Sequence, residues 1–139
     1  MIRVLCVDDD PLVRTYLATR LGLEGDIDVK GLVPSAGEAL TFLCRQPVDV
    51  VLLEYQLEGA DGMQLLVALA RSSPAMGASP PRVLFCTGAA DAAFVAEARA
   101  LGAAGVISKD KMASELLPAV RAVASGEVWF EGGASRPLA

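Results

Sequence analysis

Five side chains in this sequence, Asp8, Asp9, Glu54, Thr87 and Lys109, stand directly after short apolar runs. Three of them are carboxylates. Two like charges about 4 Å apart repel by ~4 kcal/mol at an effective dielectric of roughly 20. A cluster of Asp8, Asp9 and Glu54 therefore needs protonation, the Lys109 ammonium or a bound cation. Hard oxygen donors with open positions suit Mg²⁺. Lys109 can neutralise a bound anion, and Thr87 can hydrogen-bond one of its oxygens. Together the set has the chemistry of a carboxylate–Mg²⁺–phosphoryl arrangement. Histidine is absent from the chain, which removes His-based zinc sites and the usual triad base.

These five residues can meet only if the elements before them lie side by side. "IRVLCV" is a short apolar strand ending at Asp8, and "DVVLL" is a strand apolar on both faces ending at Glu54. "RVLFC" ends at Thr87 and "GVIS" at Lys109, while "DVKGLV" is a weaker strand that contributes no such residue. Between the strands come helical patterns. The first covers residues 12–21, with Val13, Leu17 and Leu21 at i, i+4, i+8, Pro11 suited to its start and Gly22 to its end. The second opens with a Ser35–Glu38 capping box and runs to about Arg45. The third starts near Asp61, with Leu65, Leu66 and Leu69 facing inward. The fourth covers 91–101, with Phe94, Ala98 and Leu101 on one stripe. The fifth covers 114–124, with an early irregularity or a late start expected at Pro118. Residues 72–81, rich in Pro, Ser and Gly, form a loop.

Five βα units in regular alternation imply a mostly parallel sheet covered by helices on both faces. Ligands of such sheets bind at the carboxyl ends of the strands. One polar residue at a strand end means little. Four strands that each deliver one to the same edge argue for a site. Asp10 is expected to turn away from it and to pair weakly with Arg14. Asp49 opens a strand at the opposite end of the sheet.

A chain of 139 residues makes one domain with a sizeable core, and a 53% hydrophobic, 21% charged composition excludes overall disorder. The net charge of −5 argues against gripping a phosphate backbone. No apolar run is long enough for a membrane span, and "MIRVLCV" lacks the parts of a secretory signal, so a cytoplasmic location and no membrane contact are expected. Cys6 and Cys86 fall in apolar strands and Cys44 in the second helix, all read as packing residues. No G-x-G-x-x-G follows the first strand, which disfavours a nucleotide-binding domain.

The sequence resembles a response-regulator receiver domain. "VLCVDDDPLVR" matches the family's acidic pair at Asp8 and Asp9, and "VDVVLLEYQLEGADG" matches the segment around its phospho-acceptor. Thr87 in "FCTGA" matches the hydroxyl position, and Lys109 in "GVISKD" the lysine. The resemblance covers residues 1–126 as a receiver domain, leaving 127–139 as linker or tail, with Trp129 and Phe130 as candidate anchors. It implies an α/β, flavodoxin-like fold, a five-stranded parallel sheet in order 2-1-3-4-5 with helices on both faces. It implies Mg²⁺ held by Asp9, Glu54 and the Gln56 carbonyl, with Asp8 helping through water. It also implies a regulatory module rather than an enzyme. Its partners would be a sensor histidine kinase or other signalling protein, and a second copy through helix four, strand five and helix five. "SKD" and "RAVASGEVWF" resemble the class with a LuxR-type helix-turn-helix. No such pattern follows residue 126, so DNA binding by this chain alone is not expected.

The departures bear on function. The acceptor position holds Glu54 instead of aspartate, the usual proline a few residues on is Glu58, and the aromatic switch position is Val106. A receiver atypical at its acceptor is the leading expectation. A phosphorylation-independent interaction module is the alternative. A Mg²⁺-dependent phosphatase ranks lower, because Glu54 itself would have to form the acyl phosphate.

Overall fold

In a computed structural model, residues 1–71, 79–130 and 132–137 are described. Strands β1 (Ile2–Val7), β2 (Ile27–Val33), β3 (Val50–Leu53), β4 (Arg82–Thr87) and β5 (Gly105–Ser108) alternate with helices α1 (Pro11–Gly22), α2 (Ala36–Arg45), α3 (Gly62–Arg71), α4 (Ala92–Ala100) and α5 (Met112–Ala124). A single 3-10 turn, Lys109–Lys111, leads into α5. Two more strands follow, β6 (Val128–Phe130) and β7 (Gly133–Ser135). The sheet order is β2-β1-β3-β4-β5-β6-β7, parallel through β6 and antiparallel between β6 and β7. The core order 2-1-3-4-5 is the expected one. The sheet has seven strands where five were expected, because the glycine-rich stretch after α5 pairs onto the β5 edge.

The helix starts follow from local chemistry. The Asp10 carboxylate accepts the Leu12 N–H at 2.9 Å and caps α1 ahead of Pro11. Ser35 Oγ accepts the Glu38 N–H at 3.2 Å on α2. Asp61 and Gln64 exchange side-chain and backbone bonds at α3, and Asp91 accepts the Phe94 N–H at 2.8 Å at α4. The expected Asp10–Arg14 pair does not form: Asp10 is committed to its cap, and Arg14 Nη1 donates instead to the Asp8 carbonyl at 2.7 Å.

Both faces of the sheet are buried. Val4, Cys6, Leu52, Leu84 and Ile107 pack against α1 and α5, while Leu5, Val7, Leu53, Phe85 and Val106 pack against α2, α3 and α4. This is why β3 is apolar along its whole length. Three expectations shift. Leu101 is 38% exposed, because α4 ends at Ala100 and the chain turns into Gly102 at φ +96°, so helical periodicity no longer applies. Cys44 is exposed, since α2 buries only Ala36 and Ala39 fully. Helix α5 begins at Met112 and continues through Pro118, which lies on the exposed face of the helix. Of the loop read at 72–81, residues 72–78 lie outside the described residues.

The β6–β7 hairpin is held by specific contacts. Trp129 pairs with Gly105, where a Cβ would fall 2.5 Å from the Trp129 carbonyl oxygen, so only glycine allows this approach. Trp129 Nε1 donates to Glu115 Oε1 at 2.9 Å, and the Arg99 guanidinium lies 4.2 Å over the Phe130 ring. Trp129 and Phe130 are buried. No helix among the described residues is long and apolar enough to cross a membrane.

Candidate functional site: an ion triad at the carboxyl edge

Strand register brings the polar residues together. Val7 pairs with Leu53, so the next residues, Asp8 and Glu54, lie side by side at the edge of β1 and β3. The Glu54 N–H donates to the Val7 carbonyl at 3.0 Å and fixes the start of that loop. Gly62 packs directly behind it, where a Cβ would fall 2.6 Å from the Glu54 carbonyl oxygen. Thr87 pairs with Ser108, which delivers Lys109 one residue further on.

Lys109 Nζ reaches both carboxylates, at 2.9 Å from Asp8 Oδ2 and 2.7 Å from Glu54 Oε1. The other oxygens are also engaged. Asp8 Oδ1 accepts the Asp10 N–H at 2.9 Å, and Glu54 Oε2 accepts the Gln56 N–H at 3.1 Å. Asp8, Glu54 and Thr87 are buried polar residues. Burial works against charge on Lys109, but its hydrogen bonds to Glu54 and Asp8 outweigh this and hold the ammonium pKa above its ordinary value. Thr87 Oγ1 accepts the Ala89 N–H at 3.2 Å and orders the first turn of the loop to α4. Burial pushes the nearby Cys86 thiol up to about 12, with Lys109 opposing and Glu54 and Asp8 adding to the shift.

Asp8, Glu54, Lys109 and Thr87 thus occupy one edge. Asp9 is exposed and outside the triad, as are the side chains of Gln56 and Glu58. Val106 is buried beside Phe85 in the layer under α4. Sequence reasoning missed Tyr55 and read Phe94 only as part of the inward stripe of α4. The Tyr55 ring meets Phe94 edge-on with centroids 5.1 Å apart, and Phe94 meets Phe85 at 5.1 Å in the same manner. The residue after Glu54 is thereby packed on α4. The signal was an aromatic next to the site and the first bulky residue of an alanine-rich helix.

Among the described residues the carboxylates do not form a ready-made Mg²⁺ cage, and an ion bound by Asp8 and Glu54 would compete with Lys109. Among the described residues, no group of three carboxylate, histidine or cysteine side chains is placed to hold a metal ion. The ammonium lies between the two buried carboxylates where a cation would be needed, and the third carboxylate, Asp9, turns to solvent.

The fold and this edge define a class, and comparison with known proteins identifies it. Residues 4–121 match the family described as "Response regulator receiver domain", and the chain belongs to that family. It is a two-component signal-transduction module, regulatory rather than a catalytic enzyme. It is 35% identical over 125 residues to "Probable transcriptional regulatory protein NarL" of Mycobacterium tuberculosis, covering 90% of this chain and 56% of that protein. It is 32% identical to "Transcriptional regulatory protein LiaR" of Bacillus subtilis, covering 94% of this chain and 60% of that one. The chain therefore spans little more than half the length of these curated relatives. Among solved structures, the signal receiver domain of NarL from Mycobacterium tuberculosis superposes with a TM-score of 0.81 at 34% identity, covering 90% of this chain and 97% of that one. A LuxR-family response regulator from Aurantimonas sp. superposes at 0.82 and 27% identity, covering 91% and 87%.

Proposed function

We propose that this chain is a receiver whose acceptor-position carboxylate serves as a fixed charge and not as a phosphoryl acceptor. The observation that carries the reading is the Lys109 ammonium shared between Glu54 and Asp8 at hydrogen-bond distance. Glutamate is one methylene longer than aspartate, which extends its carboxylate by roughly 1 to 1.5 Å. That places negative charge toward the space a phosphoryl group would take, already paired with the lysine. The imitation is partial, since Glu54 carries one charge where a phosphoryl group carries nearly two.

In this reading the state of the pocket passes through Thr87 and the β4–α4 loop to the α4–β5–α5 face. That face would meet a sensor histidine kinase, another signalling protein or a second copy. The receiver would regulate transcription through an output domain or a partner. Replacing Glu54 with Gln removes the charge and keeps the length. Amide shifts in Glu54→Gln are expected to spread from Gln56 to Thr87, Ala89, Val106 and the first turn of α4. Shifts confined to the residues touching Glu54 would favour the phosphorylation-independent interaction module.

Mg²⁺ is proposed to bind at Asp8, Asp9 and Glu54 more weakly than in an aspartate receiver, because it must compete with Lys109 for two of the three carboxylates. An NMR titration should show amide shifts at 8–10 and 54–56 only at millimolar Mg²⁺, and at lower concentration in a Lys109→Met variant. Saturation at micromolar Mg²⁺ with Lys109 intact would refute the competition.

A further inference from the structure

A second site lies at the opposite end of the sheet, where the start of β4, the turn before β5 and the β6–β7 hairpin enclose a groove of about 980 Å³. Among the described residues, three arginines line it, Arg82, Arg99 and Arg136, with one carboxylate, Glu127. The rest of the lining is largely apolar, with Ala103, Val128 and Phe130 among it.

Arg82, Arg99 and Arg136 gather local positive charge on a chain of net charge −5. The ion pairs among the described residues use Arg3, Arg20, Lys30, Lys109 and Arg121. None of the three groove arginines has a carboxylate partner among those residues. Arg82 Nη1 reaches only the Ala124 carbonyl, at 3.5 Å. Arg99 stacks on Phe130, and this fixes its guanidinium at the groove before any ligand arrives. Glu127 accepts from Ser125 Oγ at 3.3 Å and does not neutralise its neighbours.

Planar guanidinium groups recognise carboxylates and phosphates in two-point contacts. The apolar lining decides between ligand types. A bare inorganic anion would leave half-buried Val128 and Pro81 in water, whereas a chain that alternates acids with apolar side chains covers both. We propose that this groove docks an acidic, leucine-containing peptide segment of a partner protein, with carboxylates on Arg82, Arg99 and Arg136 and apolar side chains against Val128 and Pro81.

The probe is a fluorescein-labelled peptide of Glu-Glu-Leu-Leu repeats, titrated with the full chain and followed by anisotropy. Saturable binding that weakens with added salt is expected. The Arg82→Glu, Arg136→Glu double variant should weaken it by about tenfold or more. Arg45→Glu on α2, exposed and away from the groove, should leave it unchanged. Thermal unfolding is recorded for each variant. Arg136→Gln alone, in the exposed stretch after β7, tests the site if the double variant loses its fold. Equal binding of a Gln-Gln-Leu-Leu peptide, or binding indifferent to the charge reversals, overturns the proposal. Binding of tripolyphosphate as tight as that of the peptide also overturns it and makes the groove a small-anion site. Concentration-dependent self-association abolished by the same reversals would assign the groove to a second copy and overturn the foreign-peptide assignment.

Discussion

Incubated with acetyl phosphate and Mg²⁺, the Glu54→Asp chain should gain about 80 Da, one phosphoryl group on a carboxylate, while the Glu54 chain should gain none. In the reaction, a carboxylate oxygen at position 54 attacks phosphorus, the bond from phosphorus to the acetyl oxygen breaks, and acetate leaves. The attack is in line, and a displacement near 1 Å from the productive position can cost about 100-fold in rate. The Glu54 side chain is extended by that much and is already held by Lys109 at 2.7 Å. Shortening it withdraws the nucleophile from the space the phosphoryl group must enter. It also removes one of the two carboxylates on Lys109, so that the ammonium can meet a phosphoryl oxygen. Intact-mass measurement decides the matter. Equal gain in both chains would make this an ordinary switch and end the geometric argument. No gain in either would make the pocket a relic and move the interaction-module reading ahead.

The strand-end logic explains why so much of this site could be read from sequence. A parallel sheet has one carboxyl edge, and apolar runs show where each strand stops, so Asp8, Glu54, Thr87 and Lys109 could be placed together without coordinates. What the runs could not show is which way each side chain points. Asp8 and Asp9 are adjacent just past the end of β1, yet one is buried in the pocket and the other is exposed. The metal set drawn from the resemblance needed both. The β6–β7 hairpin was missed for another reason. Its strands have three residues each, and β7 is Gly-Ala-Ser, with no periodicity to detect. Only the unshielded β5 edge and the Gly105–Trp129 approach create it. The hairpin brings Arg136 to the groove lined by Arg82 and Arg99, a long-range consequence invisible in the local sequence.

Replacing Lys109 with Met should cost about 3 kcal/mol at neutral pH, because removing one partner leaves buried carboxylates without a counter-charge. The estimate sits at the lower end for such a loss, since the Lys109 side chain keeps 27% of its surface in water. For a domain of this size it corresponds to a fall in Tm on the order of 10 °C. The pH dependence separates this cause from lost packing. In the parent chain Lys109 has a raised pKa when folded, so its contribution is fully present below the ordinary lysine value of 10.5 and is lost as pH rises through the folded value. In Lys109→Met, Asp8 and Glu54 repel without mediation, and at least one should bind its proton more tightly in the folded state than in the unfolded one. The variant should therefore regain stability as pH falls from 7 toward about 5. Adding Glu54→Gln to Lys109→Met removes one of the two charges and should restore part of the loss at pH 7. Urea unfolding midpoints of the parent, Lys109→Met and the double variant across pH 5 to 11 test all three statements. A Lys109→Met deficit that is constant with pH and untouched by Glu54→Gln would mean that the lysine stem packs the edge and its charge does not hold the triad.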